Sequence, residues 1–472
     1  MIFIINQSAG IAQKHDYNWP SGFESYQGNP SFGGMNMTFH PTPPKVQIAD
    51  RYLNFQEYCG ACSDSSGVLQ FYTNGANIYD KSNQLMQNGD TLNPGPYWHA
   101  TEEYGSADPT GAFAVPDPGH ANGYYLIHTG IDLQFFADPD TADVIVGPLF
   151  YTYIDMNTNA GKGKVVKKNQ VLLPGNLTHP AACKHGNGRD WWVMIAERGK
   201  PIYHTWLISP AGIEGPFSQT IGPIVSKEYV AQSVFTPDGQ SYVRHNSSGG
   251  LNIFDFDRCT GLLSNLREVK YPDGYFFTRY AMASPNSRFL YVNDWDTVWS
   301  LDLAADDPGV SFDTIIQYDG FVCPLPWQTG IGIPGLGPDG KIYYAAHNSA
   351  KCIHVLHQPN LPGWAADFAQ HDLPLPRYNE ATMCHFPNYR LGIWEGSPCD
   401  TMQLVHPPEG FVATKYQAFE AVQRRHEQQG HYSYCVKVGK AVKQHRPSLD
   451  SHLLQQALQQ RKMTTFKAGN KP

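Results

Sequence analysis

A short turn motif recurs along this chain at a nearly constant interval, and it restricts the possible folds more than any other feature. The clearest copies contain Pro237, Pro285 and Pro338, which lie 48 and 53 residues apart. In each copy Asp or Asn follows the proline, and two of the three copies end in Gly. Proline presets φ, Asp and Asn bond to the nearby backbone, and glycine accepts a positive φ. Each copy therefore predicts a tight turn that leads into a strand.

The residues after each turn have the composition of two strands joined by a second turn. Aromatic and β-branched residues dominate these segments, which favours extended structure. The predicted strands are residues 241–244 and 251–256, 289–292 and 297–302, and 341–344 and 353–357. Weaker copies of the unit occur upstream at residues 64–72, 122–127 and 186–195 with 203–208.

A repeat of about 50 residues made of short strands is typical of a β-propeller blade, which buries its faces only against neighbouring blades. Residues 18–400 would accommodate seven or eight such units, and an insertion at residues 88–111 favours seven. Tandem β-sandwiches are the alternative, but they do not require the same turn at the same interval. We therefore predict an all-β fold, a β-propeller of about seven four-stranded blades.

Charge divides the chain into an acidic body and a basic tail. The whole chain carries −8, whereas the segment from Glu409 onward has 11 Lys and Arg against 4 Asp and Glu. The tail is thus +7 and the preceding residues −15. Because phosphate contacts need clustered Lys and Arg, we expect no nucleic-acid partner for the main domain. No segment approaches the roughly 18 consecutive apolar residues of a membrane span.

Three segments are predicted. Residues 1–13 resemble the end of a secretory signal peptide, with an ordinary apolar strand as the alternative. Residues 14–405 form the propeller, and the Gln- and Lys-rich tail, residues 406–472, is expected to be helical or disordered, with few contacts to the ring. In the tail, residues 417–429 and 449–461 have helical spacing.

Nine cysteines are too few for a small disulfide scaffold of this length. Cys59 and Cys62 have the spacing of a redox or metal pair, but no second pair of this kind exists to complete a zinc site. We expect a structural role for them, either as one disulfide within the pair or as two buried thiols.

Several longer runs resemble a group of propeller-like proteins exported by Bacteroidota. They are residues 62–75, 86–90, 92–95, 185–192, 215–222, 253–261, 386–392 and 396–400, so that the resemblance covers residues 15–401. Members of that group often end in an immunoglobulin-like module or a type IX secretion sorting domain. This tail shows no β-rich sorting domain, and the resemblance implies export and the propeller fold but no activity.

One dense cluster of functional residue types could form a binding site. His185, Arg189 and Asp190 stand beside the aromatic pair Trp191 and Trp192. An Arg and a carboxylate beside exposed aromatic rings could hold a sugar or peptide by stacking and hydrogen bonds. The structural alternative is that His and Asp fix a hairpin while the Trp residues fill the space between blades.

Three carboxylates, Asp138, Asp140 and Asp143, lie within six residues and could collect oxygen ligands around Ca²⁺. They lack the spacing of a calcium loop, so a solvated acidic turn is the alternative. The sequence contains no GxSxG, HExxH, phosphate-loop or dinucleotide motif, and we expect no cofactor.

Two functions remain open at this point. The first is a non-catalytic, secreted or cell-surface propeller, a monomer that binds a glycan, peptide or protein. The second is a hydrolase or lyase that acts at the central channel. An enzyme should gather three or more acidic or His side chains at the channel, whereas a binding protein should expose aromatic residues on one face.

Overall fold

The computed structural model is a seven-bladed β-propeller, as the repeat predicts. It describes residues 13–25, 28–40, 42–134, 143–225, 232–246, 250–271, 280–322 and 328–400, together with the backbone of residues 412–413. Seven antiparallel sheets form the blades, and each sheet is built from consecutive strands. Five blades have at least four strands, and the first two have three each.

The first three blades contain ten strands and one short helix. Blade 1 consists of β1 (Asn18–Ser21), β2 (Met35–Thr38) and β3 (Lys45–Ile48). Blade 2 consists of β4 (Gly60–Ser63), β5 (Leu69–Thr73) and β6 (Ile78–Asp80), and helix α1 (Pro96–Thr101) follows it. Blade 3 consists of β7 (Ala112–Pro116), β8 (Gly123–Gln134), β9 (Asp143–Asp155) and β10 (Lys164–Leu173).

The other four blades have the regular pattern. Blade 4 consists of β11 (Ala181–Lys184), β12 (Trp191–Ala196), β13 (Ile202–Ser209) and β14 (Gly212–Thr220). Blade 5 consists of β15 (Val234–Phe235), β16 (Ser241–Asn246), β17 (Gly250–Asp257) and β18 (Leu262–Val269). Blade 6 consists of β19 (Tyr280–Ala283), β20 (Phe289–Asn293), β21 (Thr297–Asp302) and β22 (Asp313–Gln317). Blade 7 consists of β23 (Ile331–Leu336), β24 (Ile342–Ala346), β25 (Ser349–Leu356) and β26 (Phe368–Glu380). Single 3₁₀ turns occupy Asn159–Gly161, Pro308–Ser311 and Gly363–Ala366.

The recurring turn occupies the same place in successive blades. Pro237, Pro285 and Pro338 each lie between the first and second strands of blades 5, 6 and 7, which confirms the interpretation of the repeat. Gly239 and Gly340 end two of these turns with φ of 71° and 80°, the left-handed region that glycine accepts. We call the side of the ring that carries these turns the turn face. The connections between third and fourth strands lie on the same face, because strands alternate in direction.

Adjacent residues on the second strand of a blade pack into different blade interfaces. Trp191 packs in the core cluster shared with blade 3, whereas Trp192 packs in the cluster shared with blade 5. Tyr343 and Tyr344 divide in the same way between the clusters toward blades 1 and 6. Because side chains alternate across a strand, one strand supplies both interfaces, and the ring must close to bury both faces.

Two disulfides connect distant parts of the ring. Cys59, just before β4, pairs with Cys384, and Cys259, after β17, pairs with Cys399. The predicted pairing of Cys59 with Cys62 is therefore wrong, because Cys62 is a buried free thiol inside blade 2. Side chains of an extended chain alternate between its two faces, so Cys59 and Cys62, three residues apart, point in opposite directions.

Only parts of the predicted end segments lie within the described residues. Gln13 belongs to the folded structure, since its side chain accepts a hydrogen bond from Lys184. Strand β27 (Val412–Ala413) pairs with β14 and gives blade 4 a fifth strand, so the tail contacts the ring at these two residues. The signal-peptide prediction for residues 1–12 and the helical spacing at 417–429 and 449–461 lie outside the described residues.

Candidate binding site at the centre of the ring

Residues 381–400, which we call the central segment, follow the last strand of blade 7 and contact most of the ring. The Thr382 hydroxyl donates to the Gln56 carbonyl at 2.8 Å, near blade 2. The Tyr389 hydroxyl donates to the Ala114 carbonyl of blade 3 at 2.6 Å. The Asn388 amide donates to the Pro237 carbonyl of blade 5 at 2.7 Å. These contacts place the chain's own segment across the centre of the propeller.

A cavity of about 240 Å³ remains between the central segment and the turn face. Its wall is formed by the ends of the first strands of blades 4 to 7 and by the turns at Pro237, Pro285 and Pro338. Its polar side chains are Asp16, Lys184, Thr236, His385, Asn388 and Arg390. The cavity therefore combines backbone from four blades with charged groups from both ends of the propeller sequence.

Asp16 and Arg390 form a bidentate ion pair at the cavity. The guanidinium nitrogens of Arg390 lie 2.8 and 2.7 Å from the two carboxylate oxygens of Asp16. The Asp16 side chain is 3% exposed and the Arg390 side chain 34% exposed. A paired geometry of this kind fixes the planes of both groups, so it fastens the central segment to the start of blade 1.

Lys184 ends β11 with its ammonium group buried. Its Nζ donates to the Gln13 side-chain oxygen at 2.9 Å and to the Gly188 carbonyl at 3.1 Å, and it lies 5.1 Å from the Trp191 ring centre. Burial, with a smaller contribution from Arg258, lowers the pKa of Lys184 to about 8. The ammonium is thus mostly charged at pH 7 although its hydrogen-bond partners are neutral.

His385 lies on the cavity wall in front of a buried His and Asp pair. His179 Nε2 contacts Asp108, and the Thr129 hydroxyl donates to the other oxygen of the same carboxylate at 3.0 Å. Burial and the nearby His179 lower the pKa of His385 to about 4. His385 is therefore neutral at pH 7, and its Nδ1 lies 3.3 Å from the side-chain amide nitrogen of Gln232.

The five residues of the sequence-predicted cluster do lie together: His185, Arg189 and Asp190 in the turn between β11 and β12, and the two Trp residues at the start of β12. The Arg189 guanidinium and the Asn187 amide both donate to the Asp190 carboxylate, at 2.7 to 3.0 Å, and the His185 ring contacts the Cys259 carbonyl at 3.1 Å. Asp190 and His185 are fully buried. These contacts are those of a hairpin turn fastened from inside, and a ligand role for Arg189 stays a prediction.

The aromatic part of that prediction is wrong. Trp191 and Trp192 are 1% and 0% exposed, and Trp192 Nε1 donates to the Arg258 carbonyl. Both indoles are covered because β12 is packed on its two faces by neighbouring blades. An exposed indole nearby was missed: Trp394 of the central segment is 37% exposed, and its backbone amide donates to the Gly186 carbonyl.

The predicted calcium ligands lie largely outside the described residues. This holds for Asp138, Asp140 and the side chain of Asp143, whose backbone begins β9. Within the part of the chain that the structure describes, no group of three or more His, Cys, Asp or Glu side chains is arranged to hold a metal ion. Among the same residues, no helix has the length and apolarity needed to cross a membrane.

Exposed aromatic residues do not distinguish the two faces. Trp394 and Trp364 lie on the turn face, with Trp364 76% exposed, but Tyr52, in the connection between blades 1 and 2, is 80% exposed as well. The cavity residues distinguish them better. Asp16, Lys184, His385, Asn388 and Arg390 were not predicted as a site, although Asn388 and Arg390 belong to a run that carries the family resemblance.

No model of a known protein family matches this sequence, and no curated protein matches it. Among solved structures, a protein from Lactobacillus plantarum is 13% identical, covers 78% of this chain and 98% of its own, and has a TM-score of 0.46. A candidate 6-phosphogluconolactonase from Bacteroides uniformis is 11% identical, covers 76% of this chain and 97% of its own, and has a TM-score of 0.43. Another from Bacteroides fragilis is 13% identical, covers 64% and 94%, and has a TM-score of 0.30. At these values the likeness says nothing about activity, and the fold rests on the strand pairing itself.

Proposed function

We propose that this chain is a non-catalytic propeller, secreted or at the cell surface, that binds a small part of a glycan, peptide or protein in the central cavity. The observation that carries the proposal is the position of the central segment across the ring's centre, beside a cavity of about 240 Å³ on the turn face. Preformed concave sites with a few convergent polar groups are the usual places for ligands. Two disulfides support an oxidising compartment.

Glycan and peptide arrays probed with the full chain test this proposal. Leu391 lines the cavity, so Leu391→Trp should fill the cavity and abolish binding of any array ligand. Ile393, two residues further on, is 47% exposed and is not among the lining residues. Ile393→Trp is therefore the matched control and should bind like the unmodified chain. Equal binding by both variants would place the ligand elsewhere and refute the cavity as the site.

One observation favours the alternative, a hydrolase or lyase. His385 lines the cavity, and the buried His179, which contacts Asp108, is near enough to lower the pKa of His385, so three titratable side chains lie in one region, as an enzyme would require. However, Asp108 and His179 are 2% and 1% exposed, so a substrate could reach only His385 without displacing the central segment. Turnover of a glycoside or lactone by the full chain, abolished in His385→Gln with an unchanged melting temperature, would establish the enzyme instead.

A further inference from the structure

We propose that the central cavity takes a ligand with a single carboxylate, an acidic monosaccharide unit, and that Lys184 is the cation that holds the carboxylate. This inference rests on the proposed binding function and names the ligand class for the same site. It depends on the position of Lys184, on the balance of charges around the cavity and on the size of the cavity.

Lys184 is built into the wall with spare hydrogen-bonding capacity. The residue is only 3% exposed and borders the cavity. An ammonium group has three donors, and those of Lys184 meet two neutral oxygens, on Gln13 and Gly188. No carboxylate of the described residues lies within 4.0 Å of its Nζ. A buried charge without a counter-ion is costly, so an anion that enters the cavity would be stabilised by it.

The other two charged side chains that line the cavity, Asp16 and Arg390, pair with each other. Asp16 is the single carboxylate among the described lining residues, and Arg390 binds both of its oxygens. Outside the wall, Arg189 pairs with Asp190, and the guanidinium of Arg258 donates to backbone carbonyls, including that of Lys184 itself. The lining therefore carries one excess positive charge, on Lys184.

One excess charge and a small volume favour a carboxylate on a compact polar ligand. A phosphate monoester carries about −1.5 to −2 at neutral pH, which exceeds the charge that Lys184 offers. Ligand pockets for larger molecules usually measure about 300 to 1,000 Å³, and this cavity is smaller, at about 240 Å³. The His385 imidazole and the Asn388 carboxamide lie on the same wall as groups that can bond to hydroxyls. A single sugar ring with one carboxylate satisfies all these conditions.

Calorimetric titration of the full chain with D-glucuronate and D-glucose at pH 7 tests the inference. We expect glucuronate to bind at least tenfold more tightly than glucose. Lys184→Met keeps the length of the side chain but removes the charge, and should reduce the affinity for glucuronate at least tenfold. Lys200→Met is the matched control on the same blade, since Lys200 is exposed and pairs with Glu197, and it should leave the affinity unchanged.

A second readout does not depend on the stability of the variant. An anion beside Lys184 stabilises its charged form, so binding of glucuronate at pH 8.5 should take up protons, seen as a binding enthalpy that depends on the buffer. Equal affinities for the two sugars, no proton uptake, or full affinity in folded Lys184→Met would overturn the inference. Tighter binding of glucose 6-phosphate would mean that the site binds a phosphate and not a carboxylate. Tighter binding of free glycylglycine would mean that it binds a peptide end and not a sugar.

The failure of this inference and the failure of the proposed function give different results. If the anion assignment alone is wrong, an array ligand still binds, Leu391→Trp blocks it, and Lys184→Met does not weaken it. If the cavity is not a binding site, Leu391→Trp changes the binding of no array ligand and of neither sugar.

Discussion

Different kinds of contact hold the blades and the central segment in place. In a blade, each strand pairs with the next strand in the chain. In the central segment, Arg390 reaches Asp16 across 374 residues, and Tyr389 reaches Ala114 across 275 residues. The blades are thus assembled from local pairs, whereas the central segment can be placed only after the ring has closed. The candidate site lies where the two regions meet, because its wall is taken from both.

The largest effect should come from cutting the covalent link between the two regions. Cys59 at blade 2 and Cys384 in the central segment close a loop of 325 residues. In the chain-entropy model a loop of that size contributes roughly 6 kcal/mol. We expect the double variant Cys59→Ser with Cys384→Ser to lose about that much free energy of unfolding, measured in denaturant without reductant.

Cys62→Ala is the control for this experiment, because Cys62 is buried but unbridged. It should lose about 1 kcal/mol, the cost of a small cavity. If the double variant were no less stable than Cys62→Ala, the central segment would be held without the disulfide.

The two regions should also differ in how they respond to the loss of an indole. Trp192 is buried between blades 4 and 5, and Trp192→Ala should lower the free energy of unfolding by about 3 to 5 kcal/mol. Trp394 in the central segment is 37% exposed, and Trp394→Ala should cost about 1 kcal/mol or less. Chemical denaturation of both variants measures the difference, and similar losses would contradict the burial that separates the two residues.

The turn motif and the tryptophan pair of β12 show what could be predicted from the sequence and what could not. The turn motif specifies its own strand pairing through residues that are neighbours in sequence, so the ring and its seven blades followed from Pro237, Pro285 and Pro338. Whether Trp191 and Trp192 are covered depends on the neighbouring blades, and composition alone suggested a ligand surface. Blade 1 lacks a Pro-Asp turn between β1 and β2 and gave no such signal.

The site itself could not be assembled from the sequence. The ends of four first strands surround the cavity, and Asp16 and Arg390 stand at opposite ends of the propeller sequence. No local spacing relates such residues. The pairing of Cys59 with Cys384 was hidden for the same reason, since Cys62 is nearer in sequence but lies inside the blade.

Acid should affect both regions through buried imidazoles. Burial lowers the pKa of His128 in blade 3 to about 3, and burial with nearby His179 lowers that of His385 to about 4. Both are neutral in the folded state, whereas the unfolded chain binds protons below about pH 6.5. Stability is therefore present above pH 6.5 and is lost as the pH falls, by about 1.4 kcal/mol per pH unit for each imidazole.

His128→Gln and His385→Gln should each remove one such dependence. Between pH 7 and pH 5 each variant should lose about 2 kcal/mol less than the unmodified chain. Urea unfolding at both pH values measures this. An unchanged loss in His385→Gln, beside a reduced loss in His128→Gln, would mean that His385 is open to water and titrates normally.

The smallest effect should come from a single hydrogen bond between the central segment and a blade. The Tyr389 hydroxyl donates to the Ala114 carbonyl in the first strand of blade 3, and Tyr389 is fully buried, with 0% of its surface accessible. The ring of Tyr389 also packs at 5.7 Å against Trp191. Tyr389→Phe keeps this packing and removes only the hydroxyl, so the Ala114 carbonyl loses that donor. We expect a loss of about 1 kcal/mol, the usual net value of a buried hydrogen bond.

Tyr17→Phe is the control, because Tyr17 is only partly buried against the core beside blade 1, and it should change stability less. A Tyr389→Phe variant as stable as Tyr17→Phe would show that packing alone, without this hydrogen bond, holds the central segment against blade 3.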